Sequence, residues 1–106
     1  VEPADLRRAC EVQARSHLLH LREGFMEARN RPGALVELIE RSAGPLAALL
    51  RNLARLHGAS PADAVLARVA QLAPGGLSRP EAEQLFPDYL HAIEHLTGMI
   101  DRWGTA

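Results

Sequence analysis

LRRACEVQARSHLLHLREGFMEA, residues 6–28, decides the fold. Leu6, Cys10, Ala14, Leu18, Leu21 and Phe25 recur at intervals of three and four, the period of a helix with one face against a core. Arg7, Arg8, Glu11, Arg15, Arg22 and Glu23 mostly fall off that stripe. The spacing predicts a helix over 4–29. Gly24 lies near the stripe, where it costs about 1 kcal/mol against Ala, so a neighbouring helix is expected to approach closely there. Asn30-Arg31-Pro32-Gly33 then breaks the chain.

A second helical segment is expected over 33–57, with Leu35, Leu38, Ile39, Leu46, Leu49, Leu50, Leu53 and Leu56 as its stripe. Gly44-Pro45 falls in its middle and predicts a kink, or two shorter helices end to end. Gly58 supplies a stop. Ser60-Pro61-Ala62-Asp63 reads as a helix start, with Ser60 as N-cap and Asp63 in the first turn. That helix carries Val65, Leu66, Val69 and Leu72 and ends at Ala73-Pro74-Gly75-Gly76. Ser78 and Glu81 form a capping box that opens a short helix through Leu85, or a turn. Pro87 is expected to begin the last helix, striped by Tyr89, Leu90, Ile93, Leu96, Ile100 and Trp103. The sum is an all-α chain, an antiparallel bundle of four to five helices in a single domain over 1–106. Val1-Glu2-Pro3 carries no initiator Met, and the expectation is a fragment of a longer two-domain protein.

Composition excludes several function classes. With 106 residues the chain is one domain able to bury a core without staples. Only 4% of it is aromatic, so Leu, Ala and Val must fill that core. All twelve basic residues are Arg; the absence of Lys beside abundant Ala and Leu reads as a bacterial, GC-rich coding bias. A net charge of −1 argues against a duplex DNA-binding surface, which needs a basic stripe. The single Cys10 cannot form an internal disulfide, which makes the cytoplasm the expected compartment. No apolar run approaches the roughly 20 residues of a membrane span. No cofactor signature is present.

Leu6 to Glu11 and Ser16 to Phe25, the Leu-rich run Leu46 to Leu56 ending in Arg-Leu-His-Gly, and the stretch Tyr89 to Asp101 together cover most of the chain. They resemble a helical domain that follows a polymerase-β type nucleotidyltransferase domain in certain uncharacterised bacterial proteins. The resemblance lies in helical patterning, not in catalytic signatures. In that family a Gly-Ser turn and paired Asp residues hold the metal ions of the catalytic domain. This chain has no Gly-Ser pair and no Asp-x-Asp; its Asp5, Asp63, Asp88 and Asp101 are scattered. The resemblance therefore implies a non-catalytic accessory domain that contacts substrate or packs protomers together. Its implied partners are an N-terminal nucleotidyltransferase-like domain and a second copy in a homodimer. Arg15, His17 and Arg22 are the first candidates for a polar substrate contact.

Two other patterns carry chemistry. Arg51-Asn52-Leu53-Ala54-Arg55-Leu56-His57 is similar to the RNase motif of HEPN domains, in which Arg and His four to six residues apart act on the RNA backbone. Arg51 and His57 would then be catalytic. Arg15 and His20 match the same loose pattern, and the plain alternative is a solvated Arg with a His at a helix C-terminus. His91-Ala92-Ile93-Glu94-His95 spells the inverted zinc-peptidase signature H-x-x-E-H, with His91 and His95 one turn apart. A zinc site also needs a third ligand. His17 and His20 could supply one if the first and last helices pack together. Otherwise Ile93 on the core stripe turns both histidines outward. Cys10, on the apolar stripe, reads as a small hydrophobe. Tyr89 and Trp103 read as core or interface anchors.

Overall fold

The computed structural model describes residues 3–31, 33–57 and 63–103, excluding the side chains of Pro3, His57 and Trp103. Within them lie four helices, α1 (Pro3–Ala28), α2 (Ala34–His57), α3 (Ala64–Ala70) and α4 (Arg79–Trp103), and no strand. The all-α reading is therefore right. None of the helices is long and apolar enough to cross a membrane.

Cross-helix contacts set the topology. Asn52 donates to Gln13 at 3.0 Å, and Gly24 faces Leu38, so α1 and α2 run antiparallel. Arg15 reaches Asp101 and Arg22 reaches Glu94, so α1 and α4 are antiparallel as well. It follows that α2 and α4 run parallel, with Ser42 against Tyr89. That is the relation an antiparallel four-helix bundle requires of helices two apart in sequence. Its physical basis is the intervening α3 segment, which returns the chain to the level of the α2 N-terminus. There Gly75, left-handed at φ +78, donates its N–H to the Glu40 carboxylate at 2.9 Å. The molecule measures 43 × 23 × 20 Å, about the 39 Å length of α1 by two helix widths.

The helix limits depart from the sequence pattern in instructive ways. The capping box is present: Glu81 N–H donates to Ser78 Oγ at 3.3 Å, and Ser78 N–H to Glu81 Oε1 at 3.1 Å. The helix it opens does not stop before Pro87. It continues as α4, so the expected separate short helix and last helix are one element. Likewise α2 runs unbroken through Pro45, not as two shorter helices. Each proline removes one bond, to the carbonyl of Arg41 or of Glu83. Both prolines and both of those residues are exposed, so water can satisfy the orphaned carbonyls. The described cap of α3 is Asp63, whose side chain accepts from Leu66 N–H at 3.0 Å. Ser60, Pro61 and Gly58 lie outside the described residues.

The core follows the stripes. Cys10, Ala14 and Leu21 of α1 meet Ile39, Leu46, Leu49 and Leu53 of α2. Leu66 and Val69 of α3 and Tyr89, Ile93, Leu96 and Ile100 of α4 complete it. Phe25 is the exception, 40% exposed and stacked on Phe86 with ring centroids 4.9 Å apart.

Gly24 meets the expected close approach. A Cβ there would lie 2.5 Å from Leu38 Cδ1 and 3.3 Å from Leu38 Cγ. Gly44, exposed and inside α2, has nothing within 4 Å of that position. Gly44→Ala should therefore raise the unfolding free energy by about 1 kcal/mol through helix propensity alone. In Gly24→Ala the same gain is outweighed by overpacking against Leu38, and a net loss of about 1 kcal/mol is expected. Urea denaturation of the two variants side by side checks the opposite signs.

Candidate functional site

Three polar residues occupy stripe positions otherwise held by apolar ones. His17 continues the run Cys10, Ala14, Leu21 on α1, Ser42 sits between Ile39 and Leu46 on α2, and Tyr89 leads the α4 stripe. They meet at the centre of the bundle. His17 Nε2 lies 2.6 Å from Tyr89 Oη, and Tyr89 Oη lies 2.7 Å from Ser42 Oγ. Ser42 Oγ donates to the Ile39 carbonyl at 2.7 Å. The imidazole also packs edge-on to the Tyr89 ring, with centroids 5.9 Å apart.

The hydrogen bonds assign the protons. The single hydroxyl proton of Ser42 goes to Ile39, so Tyr89 donates to Ser42. The Tyr89 oxygen then accepts from His17, which must carry its proton on Nε2. Every proton in the chain His17 to Tyr89 to Ser42 to Ile39 is committed. Burial, with a smaller push from the charge of His20, lowers His17 to about 4, so it is neutral at physiological pH. Burial also pushes the Tyr89 phenol up, which keeps it protonated.

This arrangement is poor machinery for catalysis. A general base works best with a pKa near the operating pH, and His17 lies well below it. Ser42 is not activated by His17, because Tyr89 stands between them and its proton is already spent on a backbone carbonyl. A cavity of about 220 Å³ lined by His17, His20, Leu38, Arg41 and Ser42 opens beside the network. What the network does is satisfy polar groups in three helices and fix their register.

No family model, curated protein or solved structure matches this chain.

The residues proposed for substrate contact do not converge. His17 is 7% exposed and inside the network. Arg15 pairs with Asp101 at 2.8 Å and Arg22 with Glu94 at 2.9 Å, two exposed clamps between α1 and α4. Such pairs contribute roughly 0.2–1 kcal/mol each. His91 and His95 are exposed on α4, and Glu94 between them is the partner of Arg22. Among the described residues no three His, Cys, Asp or Glu come together as metal ligands, so His17 and His20 do not join His91 and His95 in a site. Arg51 is exposed on α2, while the side chain of His57 lies outside the described residues. Cys10 is fully buried and burial pushes its thiol up, as befits a core residue.

Sequence reasoning missed Ser42 altogether and read Tyr89 only as an anchor. A signal existed: a serine in a leucine stripe must find a partner across the core.

Proposed function

We propose that this chain is a non-catalytic helical accessory domain that acts in assembly, and that the outer face of α1 pairs with a second copy of itself. The observation that supports this reading is a row of uncovered apolar side chains. Val12, Leu19 and Met26 are 63%, 54% and 69% exposed. They recur every seven residues, two helical turns, and lie opposite the buried Cys10–His17 side. Isolated exposed apolar residues need no account, but an aligned row does.

The row is self-complementary. With two α1 helices antiparallel about a two-fold axis at Leu19, Leu19 meets its own copy and Val12 meets Met26. The same register sets Arg15 against Glu23, so charge as well as shape fits. Arg15 can serve both Asp101 and Glu23, since guanidinium has five donors. One apolar residue every two turns makes a narrow contact, and the dimer is expected to be weak and concentration-dependent. Leu19→Asp would place two carboxylates face to face on the axis. It should weaken association about 100-fold, roughly 2.7 kcal/mol, while leaving thermal stability nearly unchanged. Sedimentation velocity across a wide concentration range tests this. A wild-type chain that stays monomeric throughout, or association indifferent to Leu19→Asp, would end the proposal.

The likeness of α1 to the helical partner of nucleotidyltransferase-like domains supports such a domain as the catalytic member of the assembly. Its Gly-Ser turn and paired Asp should be encoded upstream in the parent gene. We likewise expect α2 to bend at Gly44-Pro45, since the bond lost to Arg41 loosens the solvent side of the helix.

A further inference from the structure

An apolar hollow with charged walls lies at the C-terminal end of α1, away from the His17 network. Where the end of α1 meets the first turns of α2 and α4, a cavity of about 400 Å³ opens. Its floor is apolar, made by Phe25, Leu35, Val36 and Ala82. Its rim carries Arg29, Arg31 and Arg79, opposed by Glu83. Among the described residues Arg29 and Arg79 have no ion pair, and Arg31 has only a loose one to Glu37 at 3.9 Å. The rim is therefore net positive in a chain whose overall charge is −1. The positive end of the α2 dipole adds to the same field. Ligand sites for small molecules run from about 300 to 1,000 Å³ and combine an apolar lining with a few placed polar groups. This cavity has that composition, and Phe25 in its floor remains 40% exposed although it stacks on Phe86.

From this we infer that the cavity binds a small organic anion, a carboxylate or phosphate ester whose apolar body lies on Phe25 and Val36 while its charged group meets Arg29 and Arg79. Guanidinium matches both anions because its planar donors engage two oxygens at once. Neither an apolar molecule nor a bare inorganic anion satisfies both halves of the site.

The test uses the fluorescent anion anilinonaphthalene sulfonate and its neutral counterpart N-phenylnaphthylamine, titrated into the whole chain. The anion should bind at least about tenfold tighter than the neutral ring system. Arg29→Gln with Arg79→Gln should bring that ratio close to one; both side chains are exposed, and a cooperative thermal melt verifies folding. Leu19→Ser, on the outer face of α1, should leave the titration unchanged. Displacement by decanoate against displacement by phenyl phosphate separates a carboxylate from a phosphate ligand, and inorganic phosphate alone should displace nothing. Equal binding of the neutral compound overturns the inference. So does binding that survives the double Arg substitution, or that disappears in Leu19→Ser.

Discussion

Between pH 7 and pH 4 this protein should lose roughly 3 kcal/mol of stability through one side chain, His17. The unfolded chain takes up a proton on His17 near its ordinary 6.5, whereas in the folded state burial and the charge of His20 delay protonation to about 4. The folded-state value is depressed, so the contribution is fully present above pH 6.5. It is lost progressively as pH falls to about 4 and changes no further below that, where both states are charged. The loss is large beside the 5–15 kcal/mol that holds a typical domain together. His17→Gln keeps a side-chain N–H for Tyr89 and carries no titrating group. Its urea midpoint should be nearly flat from pH 7 to pH 5, while that of the wild type falls. An equal slope in the two proteins would assign the acid sensitivity elsewhere. The alkaline side mirrors this. Tyr89 is the only tyrosine and there is no lysine. Its raised pKa means the unfolded chain ionises first, so stability falls above pH 10, with buried Cys10 adding a loss in the same direction from lower pH. Tyr89→Phe should remove the tyrosine part of that limb. One hydrogen-bonded cluster thus bounds the stable pH range on both sides.

How legible the molecule was depends on the range of each interaction. Local devices could be read directly. Ser78 and Glu81 three residues apart satisfy each other, and Gly24 on an apolar stripe marks a close helix approach. Proline 87 misled because its local cost was weighed without its surroundings: on the solvent face water replaces the lost bond, and the flanking stripe residues Phe86 and Tyr89 hold the helix together. The network at the core was illegible for another reason. Periodicity places His17, Ser42 and Tyr89 each on the correct face, but their pairing spans 72 and 47 residues of sequence. It depends on register between helices, which no single-helix pattern contains. Arg15 and Arg22 show the same gap. They are seven residues apart, as are Glu94 and Asp101, and in antiparallel helices these spacings match as two clamps. Read alone, the two arginines looked available to a ligand.

Replacing Ile93 by Ala should cost about 2–5 kcal/mol, whereas His91→Ala and His95→Ala should each stay within about 0.5 kcal/mol of the wild type. The contrast separates two readings of the same five residues. In the metal reading, His91 and His95 are the reason for the segment and Ile93 only spaces them. In the packing reading, Ile93 is the reason. Its exposure is 0%, and it lies between Tyr89 and Leu96 on the core face of α4. A cavity left there is lined by residues from several helices and cannot collapse without shifting one of them. His91 and His95 are exposed, one turn apart, and the carboxylate between them is held by Arg22 at 2.9 Å. A carboxylate engaged with a guanidinium is not free to serve as the general base that the signature needs. Thermal melts of the three variants, repeated with added zinc, measure both readings together. If zinc raises the wild-type midpoint and His91→Ala abolishes the rise, the metal reading stands. If zinc changes nothing and only Ile93→Ala collapses the melt, the segment is a core stripe, and the resemblance to a zinc signature follows from helical spacing, which puts any residues four apart on one face.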